Sequence, residues 1–378
     1  MAQGKVHGGY FTSWSIYGRG YKPNALPTQH LTHIFYAFAD IKTDSGTVFL
    51  TDPWADVQIP HDSPASDSDL RGNLGALLKH KRADRTTKVI LSVGGWSFSS
   101  HFAPVASDPR KRAECVRSAV ELLEDHAFDG LDWDWEFPDN PQQAADYVSL
   151  LREVRYALEN HAQRKNEPRY LLTVAAPAGE EKLQVLRSQE MDQVLDYWNV
   201  MTYDFAGSWD ERAGHQATLR GPAPSCEATV ATFGRFGVPP HKLVLGIPLY
   251  GRSFLKCGGP GSSFKGVGKG THEAGLYDYR ALPLPGAHEE LHPCEAASCR
   301  TSDGEWVTYD TPFTARDKAG YVKWAGLAGA FYWDLSGDAE GQRAIVPAVA
   351  QELGQLDQTP NHLSYNWSKY ANVREGRP

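Results

Sequence analysis

At 378 residues the chain is long enough for one large α/β barrel with an insertion, or for two ordinary domains. A formal net charge of −8 with 38 basic residues leaves no cationic footprint for nucleic acid or an acidic membrane surface, and no apolar run reaches the length of a membrane span. The 11 Trp and 17 Tyr exceed what packing alone usually asks for; flat aromatic faces suit the apolar faces of sugar rings, although composition alone favours core packing as their use.

In chain order, Met1 to His7 holds no apolar run of leader-peptide type. The expected location is therefore extracellular if a leader has been removed before this point, and cytoplasmic otherwise. A strand signal over Val6 to Trp14 leads through a loop with Pro23 and Pro27 to a second strand, Leu31 to Ala39. The polar segment Asp40 to Asp67 is too turn-rich for a helix and too long for a simple connection; loops of that length are usually functional or disordered. A helix over Asp69 to Arg82 feeds the buried strand Lys88 to Trp96, which ends in a glycine turn, and a helix over Asp108 to His126 follows.

The next stretch, Phe128-Asp129-Gly130-Leu131-Asp132-Trp133-Asp134-Trp135-Glu136-Phe137-Pro138, alternates carboxylates with large apolar groups. Read as a strand, it puts Asp132, Asp134 and Glu136 on one face and Leu131, Trp133 and Trp135 on the other. An acidic face cannot join an ordinary core, because a buried unpaired carboxylate costs several kcal/mol unless it is protonated or hydrogen-bonded. It must line a polar cavity, while the tryptophans need helices or a second sheet to cover them. Three neighbouring carboxyls also repel, so at least one keeps a proton at neutral pH, the condition for a general acid. A solvated acidic loop is the plain alternative, and the interleaved tryptophans argue against it. A divalent-metal cage is another, but strand spacing sets the three groups along a line rather than round one ion, so no metal and no cofactor is expected.

The same grammar repeats after Pro138: helix from Gln142 to His161, strand from Tyr170 to Ala176, short helix near Lys182 to Gln189, and strand from Tyr197 to Tyr203. A helix over Cys226 to Phe236, a strand over Leu243 to Tyr250, a helix over Thr314 to Trp324, a strand over Ala328 to Trp333 and a helix over Glu340 to Leu353 complete it. Alternating strands and helices at this count predict an α/β fold of the (β/α)8 TIM barrel class, with catalytic groups at the C-terminal strand ends, where Glu136, Tyr203, Asp204 and Trp333 fall. Residues 253–310 break the rhythm. Rich in Gly and Pro, with Phe264, Tyr277 and Tyr279 as a small core, they read as an inserted α+β subdomain between strand 7 and helix 7, leaving 1–252 and 311–378 as the catalytic barrel. Cys115 and Cys226 stand alone, whereas Cys257, Cys294 and Cys299 fall close enough to supply one disulfide. The tail from Gln355, which carries the single sequon Asn366-Trp367-Ser368, is expected to run back over the barrel surface.

At the barrel mouth Glu136 is the carboxyl best placed to meet a substrate, with Asp134 one pleat repeat, about 7 Å, behind it. A protonated Glu that donates to a leaving oxygen is the first half of glycoside cleavage; the second half normally needs another carboxylate, and only Asp204 offers itself.

The run Asp129-Gly-x-Asp132-x-Asp134-x-Glu136, preceded by Ser92-x-Gly94-Gly95 and followed by Met201-Thr-Tyr203-Asp204, resembles the glycoside hydrolase family 18 chitinases. Tyr250-Gly-Arg252-Ser-Phe254 and Trp333 extend the match, which covers essentially the whole chain. With Asn24-Ala-Leu-Pro-Thr near the start and Tyr370-Ala-Asn-Val-Arg374 near the end, the layout is similar to fungal chitinases of the bacterial-type, class V subgroup. The resemblance implies hydrolysis of β-1,4 links between N-acetylglucosamine units with retention, the substrate's own 2-acetamido group attacking its anomeric carbon to give an oxazolinium ion. It implies Glu136 as general acid and then base. Asp134 would hold a shared proton and orient the acetamido N–H, anchored by Asp132 with Tyr10 and Ser92 beneath it. Tyr203 would donate to the acetamido oxygen as charge develops. Asp204 and Arg252 would bind and distort the sugar on a Trp333 floor, and Tyr250, Trp96, Met201, Phe38 and Trp14 would complete the substrate-binding set. Chitin and chito-oligosaccharides are the expected partners of a monomer. A chitin-binding lectin on the same fold would lack the acid, and an endo-β-N-acetylglucosaminidase acting on N-glycans would share the acidic strand. Trp133, Phe137 and the pair Phe331-Tyr332 depart from the usual pattern without removing a catalytic group.

Overall fold

The computed structural model describes residues 4–61, 66 and 68–377, so part of the long polar segment, residues 62–65 and 67, lies outside the described residues. Eight parallel strands form the centre: β1 (Val6–Thr12), β2 (His33–Ile41), β3 (Lys88–Gly94), β4 (Gly130–Asp134), β5 (Leu171–Ala176), β6 (Tyr197–Val200), β7 (Leu243–Pro248) and β8 (Gly329–Trp333). Each pairs with the next, and β8 pairs with β1, so the sheet closes on itself without an edge. This is the (β/α)8 barrel that the alternation predicts. The strands are buried on both faces, which is why they read as near-continuous apolar runs.

Six longer helices surround the barrel: α1 (Gly72–Ala83), α2 (Pro109–Asp125), α3 (Pro141–Lys165), α4 (Cys226–Arg235), α5 (Pro312–Trp324) and α6 (Ile345–Leu353). Their starts are written locally. Asp108 accepts from the N–H groups of Arg110 and Lys111, Asn140 from those of Gln142 and Gln143, and Thr311 from that of Thr314, each with proline as the first helical residue. Between β1 and β2 the described chain makes only short 3-10 turns, as the proline-rich loop suggested. The helix expected near Lys182 to Gln189 divides into Glu180–Leu183 and Ser188–Asp192. No helix of the described residues is long and apolar enough to cross a membrane.

Most strand ends shift by two or three residues from the expected ones, and two of the shifts bear on the site. The pairing of β4 stops at Asp134, so Trp135 and Glu136 lie beyond the strand rather than on it, and β6 stops at Val200, three residues before Tyr203. The alternation of side-chain types runs on past the last ladder bond, because neighbouring loops bury the same two faces. The seventh strand ends at Pro248, and the chain turns at Leu249 into a separate five-stranded antiparallel sheet. Its order is Leu276–Asp278, Tyr250–Phe254, Trp306–Tyr309, Ala296–Arg300, His288–His292. Phe254, Cys257 and Trp306 form its small core with Phe264, against Ala206 and Ala213 of the loop after β6. All five cysteines are free, so the disulfide expected among Cys257, Cys294 and Cys299 is absent. Cys257 Sγ accepts instead from the Gly259 N–H, Cys294 occupies a left-handed turn position, and Cys299 is buried on a strand.

Candidate active site

The register of three neighbouring strands builds the floor of the barrel mouth. Ser92 on β3, Asp132 on β4 and Thr173 on β5 are direct partners across the sheet. The Asp132 carboxylate accordingly accepts from Ser92 Oγ at 2.7 Å and Thr173 Oγ1 at 2.6 Å, and further from Tyr10 OH at 2.9 Å and Asn199 Nδ2 at 3.2 Å. Burial raises its pKa above the ordinary carboxylate value, and these four partners only partly offset the rise. The Asn199 amide N–H can only donate, so Oδ1 acts as an acceptor, whereas the three hydroxyls can donate or accept.

Asp134 lies next along the strand, buried, with Oδ1 lacking a protein partner. Burial first, then the charges of Glu136 and Asp132, raise its pKa well above the ordinary carboxylate range, which favours its protonated form. Glu136 is pushed up to about 7 by burial and by Asp204, opposed by the backbone N–H of Trp96. The apolar face of the same stretch is equally committed. Trp135 stacks on Phe102 at 5.3 Å and meets Tyr147 edge-on at 5.2 Å, while the Tyr147 hydroxyl donates to the Trp133 carbonyl at 3.1 Å. Gly94 and Gly95 let β3 end this close: a Cβ on Gly94, at φ +111°, would meet the Asp134 carbonyl oxygen at 2.3 Å, and one on Gly95, at φ +84°, the Phe38 ring at 2.5 Å.

Around this row the mouth is lined from several loops. Asp204 accepts from Tyr250 OH at 2.7 Å and from Arg252 Nε at 2.6 Å, and the Arg252 guanidinium lies 4.5 Å over the Trp209 ring. Tyr203 is buried, edge-on to Tyr250 and to Phe331. Trp333 ends β8, stacked on Phe38 at 5.7 Å and edge-on to Tyr10 at 5.4 Å, and Trp14 follows beyond Phe38 at 6.1 Å. A cleft of about 220 Å³ runs between Trp14, Asp204, Tyr250, Arg252, Trp333 and Asp278 of the second sheet. A larger surface hollow of about 480 Å³ sits at the far end of α3 between Glu159, Asn166 and Arg169, away from the carboxylate row.

All the expected site residues therefore gather at one end of the barrel, though not all in the cleft itself. Met201 is half-buried in the barrel interior, and Trp96 is 77% exposed on the turn after β3, with Trp209 at 59%. Four residues of the site escaped the sequence reading. Thr173 and Asn199 each occupy an inward position of their strand's alternation, a signal that was present but pointed at no partner until the register was known. Arg19 binds Asp334 at 2.9 Å and Ser336 at 2.8 Å next to the Trp333 floor, and Ser99 bonds the backbone of Glu136. No sequence pattern announced either.

Residues 7–338 match the family model described as glycosyl hydrolases family 18. The chain is 38% identical over 382 residues to Chitinase 1 of Aphanocladium album, spanning 97% of this chain and 90% of that one. It is 38% identical over 389 residues to Endochitinase 1 of Metarhizium robertsii, spanning 99% and 91%. Among solved structures, chitinase ChiA74 from Bacillus thuringiensis superposes with a TM-score of 0.88 at 29% identity, over 94% of this chain and 71% of that one. A class V chitinase from Nicotiana tobaccum in complex with NAG4 does so with a TM-score of 0.81 at 25% identity, over 93% and 99%.

Proposed function

The chain belongs to the glycosyl hydrolases of family 18, and from that premise we propose that it is a chitinase that cuts β-1,4 links between N-acetylglucosamine units with retention of configuration. The observation that carries the mechanism is the state of its acidic groups. Asp132 is surrounded by four hydrogen-bond partners, Asp204 is held through Oδ1 by Tyr250 and Arg252, and burial keeps Asp134 and Glu136 above the ordinary carboxylate range, Glu136 to about 7. A row so disposed supports the family's mechanism, in which the nucleophile is the substrate's own acetamido oxygen.

Glu136 protonates the glycosidic oxygen as the acetamido oxygen closes on the anomeric carbon, and it then takes a proton from the water that opens the oxazolinium ion. Asp134 presents its unpartnered Oδ1 to the acetamido N–H, with Asp132, fixed by its four partners, behind it as an anchor. The Tyr203 hydroxyl, kept protonated by burial, donates to the acetamido group. Trp333 is the face on which the reacting sugar stacks, and Asp204 with Arg252 hold its polar edge. The inserted unit walls one side of the cleft; its sheet begins at Tyr250 rather than at the expected residue 253 and holds, among the described residues, a single 3-10 turn and no α-helix, so Tyr250 and Arg252 belong to it rather than to the barrel. Chitin and chito-oligosaccharides are the substrates of this reading, which takes a monomer as the unit that engages them.

Digestion of chitin hexasaccharide by the wild type and by Glu136→Gln, with anomers resolved by NMR at early times, tests this reading. The wild type alone is expected to release β-anomeric products. Appearance of α-anomers first would end the substrate-assisted mechanism, and binding without cleavage by both proteins would make the chain a lectin.

A further inference from the structure

The ladder between β3 and β4 stops at Gly94 and Asp134, where the Gly95 N–H donates to the Asp134 carbonyl at 2.8 Å. Glu136 lies two residues further on, outside any strand pairing, although an acid that meets a leaving oxygen must be held to a fraction of an ångström. Its backbone N–H donates to the Ser99 hydroxyl at 2.7 Å, and that hydroxyl donates in turn to the Gly95 carbonyl at 3.0 Å. Ser99 is only 7% exposed, so little water competes for either bond. It belongs to the 3-10 turn Trp96–His101, whose far end is tied to the barrel by His101 Nδ1 and Asp40 Oδ1 at 2.8 Å.

We propose that Ser99 is a positioning residue for Glu136, carrying the strand register past the end of the ladder so that the acid is fixed although its own strand has ended. The inference rests on the reading of Glu136 as general acid, and Ser99 acts through that residue rather than on the sugar. A hydroxyl suits the task because it accepts and donates at once, bridging one N–H to one carbonyl. An alanine would leave the partly buried Glu136 N–H unpaired, and the peptide would turn toward water to satisfy it. Relieved of burial, the carboxyl would also release its proton at lower pH.

Steady-state kinetics on chitin hexasaccharide with Ser99→Ala, Ser99→Thr and Glu136→Gln provide the test. Ser99→Ala is expected to lower kcat roughly 10- to 100-fold with KM changed less than about threefold, and to move the alkaline limb of the kcat profile to lower pH. Ser99→Thr, which keeps the hydroxyl, is expected to recover most of both. Wild-type kcat and pH profile in Ser99→Ala, with Glu136→Gln inactive, would overturn the proposal and leave the acid reading intact. Full activity in Glu136→Gln would remove the acid reading and the proposal with it. Equal loss in both Ser99 variants, with lowered melting temperatures and an unmoved pH profile, would make Ser99 a packing residue and end the proposal. If Ser99→Ala does not fold, Ser99→Cys decides: its weaker donor should give an intermediate kcat, and wild-type kcat there would count against the bridge.

Discussion

Glu136 is held up to about 7 by burial and by the charge of Asp204, and it acts in its protonated form. Activity on chitin hexasaccharide should therefore hold on the acid side and fall as pH rises through about 7, read from kcat/KM across roughly pH 5 to 9. A flat profile through that window would mean that another group supplies the proton. The same shift has a consequence for stability. The folded state binds this proton more tightly than the unfolded chain, whose carboxyl titrates near 4.5, so the contribution is full below about 4.5 and is lost as pH rises through about 7. Asp134, raised in the same direction, adds to the loss. Glu136→Gln removes a group that must ionise against burial, and it is expected to be the more stable protein near pH 8, by on the order of 3 kcal/mol, while inactive. A thermal melt at that pH in which the variant is no more stable than the wild type would contradict the assignment. These carboxyls were legible as a row because period-two alternation is a local property. Their separate states were not, because each is decided by donors from other strands: Ser92, Thr173, Tyr10 and Asn199 around Asp132, and none on Asp134 Oδ1.

At the scale of single elements the helix starts were unevenly legible: those at Pro109, Pro141 and Cys226 fall on or beside the expected residue, whereas the helices expected from Asp69, Thr314 and Glu340 begin at Gly72, Pro312 and Ile345. Asn140 before Pro141 accepts from the N–H groups of Gln142 and Gln143 at 3.0 Å each, ahead of the 25-residue helix α3. Asn140→Ala is expected to cost about 1 kcal/mol and to leave kcat unchanged, because the cap touches nothing in the cleft. Urea unfolding of that variant checks it; a loss within about 0.2 kcal/mol would mean that water replaces the cap fully. Strand ends were displaced as well, the first to Thr12, the sixth to Val200 and the seventh to Pro248. A cap signal is carried by three or four consecutive residues, whereas the last ladder bond of β4 or β6 depends on where the neighbouring strand stops. The hydrophobic pattern of Trp133 and Trp135 continues smoothly across that point because Phe102 and Tyr147 cover both rings.

Over the whole molecule, the tail beyond α6 ties the N-terminal rim of the barrel, opposite the cleft. Asn361 Nδ2 donates to the carbonyls of Lys81, Asp84 and Thr87, and the His362 N–H donates to Asp129 Oδ1 at 2.7 Å. Asp129 in turn pairs with the buried Lys81 at 2.9 Å and accepts from the Val89 N–H at 2.7 Å, joining α1, β3 and the tail at one carboxylate. Asp129→Ala strands a buried ammonium and two backbone donors, and it should cost about 3–5 kcal/mol with turnover per folded molecule unchanged. Calorimetry joined to active-site titration measures both; a near-neutral melt would show that Lys81 finds other partners. By itself the sequence determined the barrel class, the acidic row and the aromatic character of the mouth, because these follow from local periodicity and residue type. Tertiary structure alone decided which partners surround each carboxyl, where Glu136 leaves its strand, and that Ser99 and Arg19 stand beside the site. Those outcomes depend on register and burial between segments far apart in the chain, which no local pattern encodes.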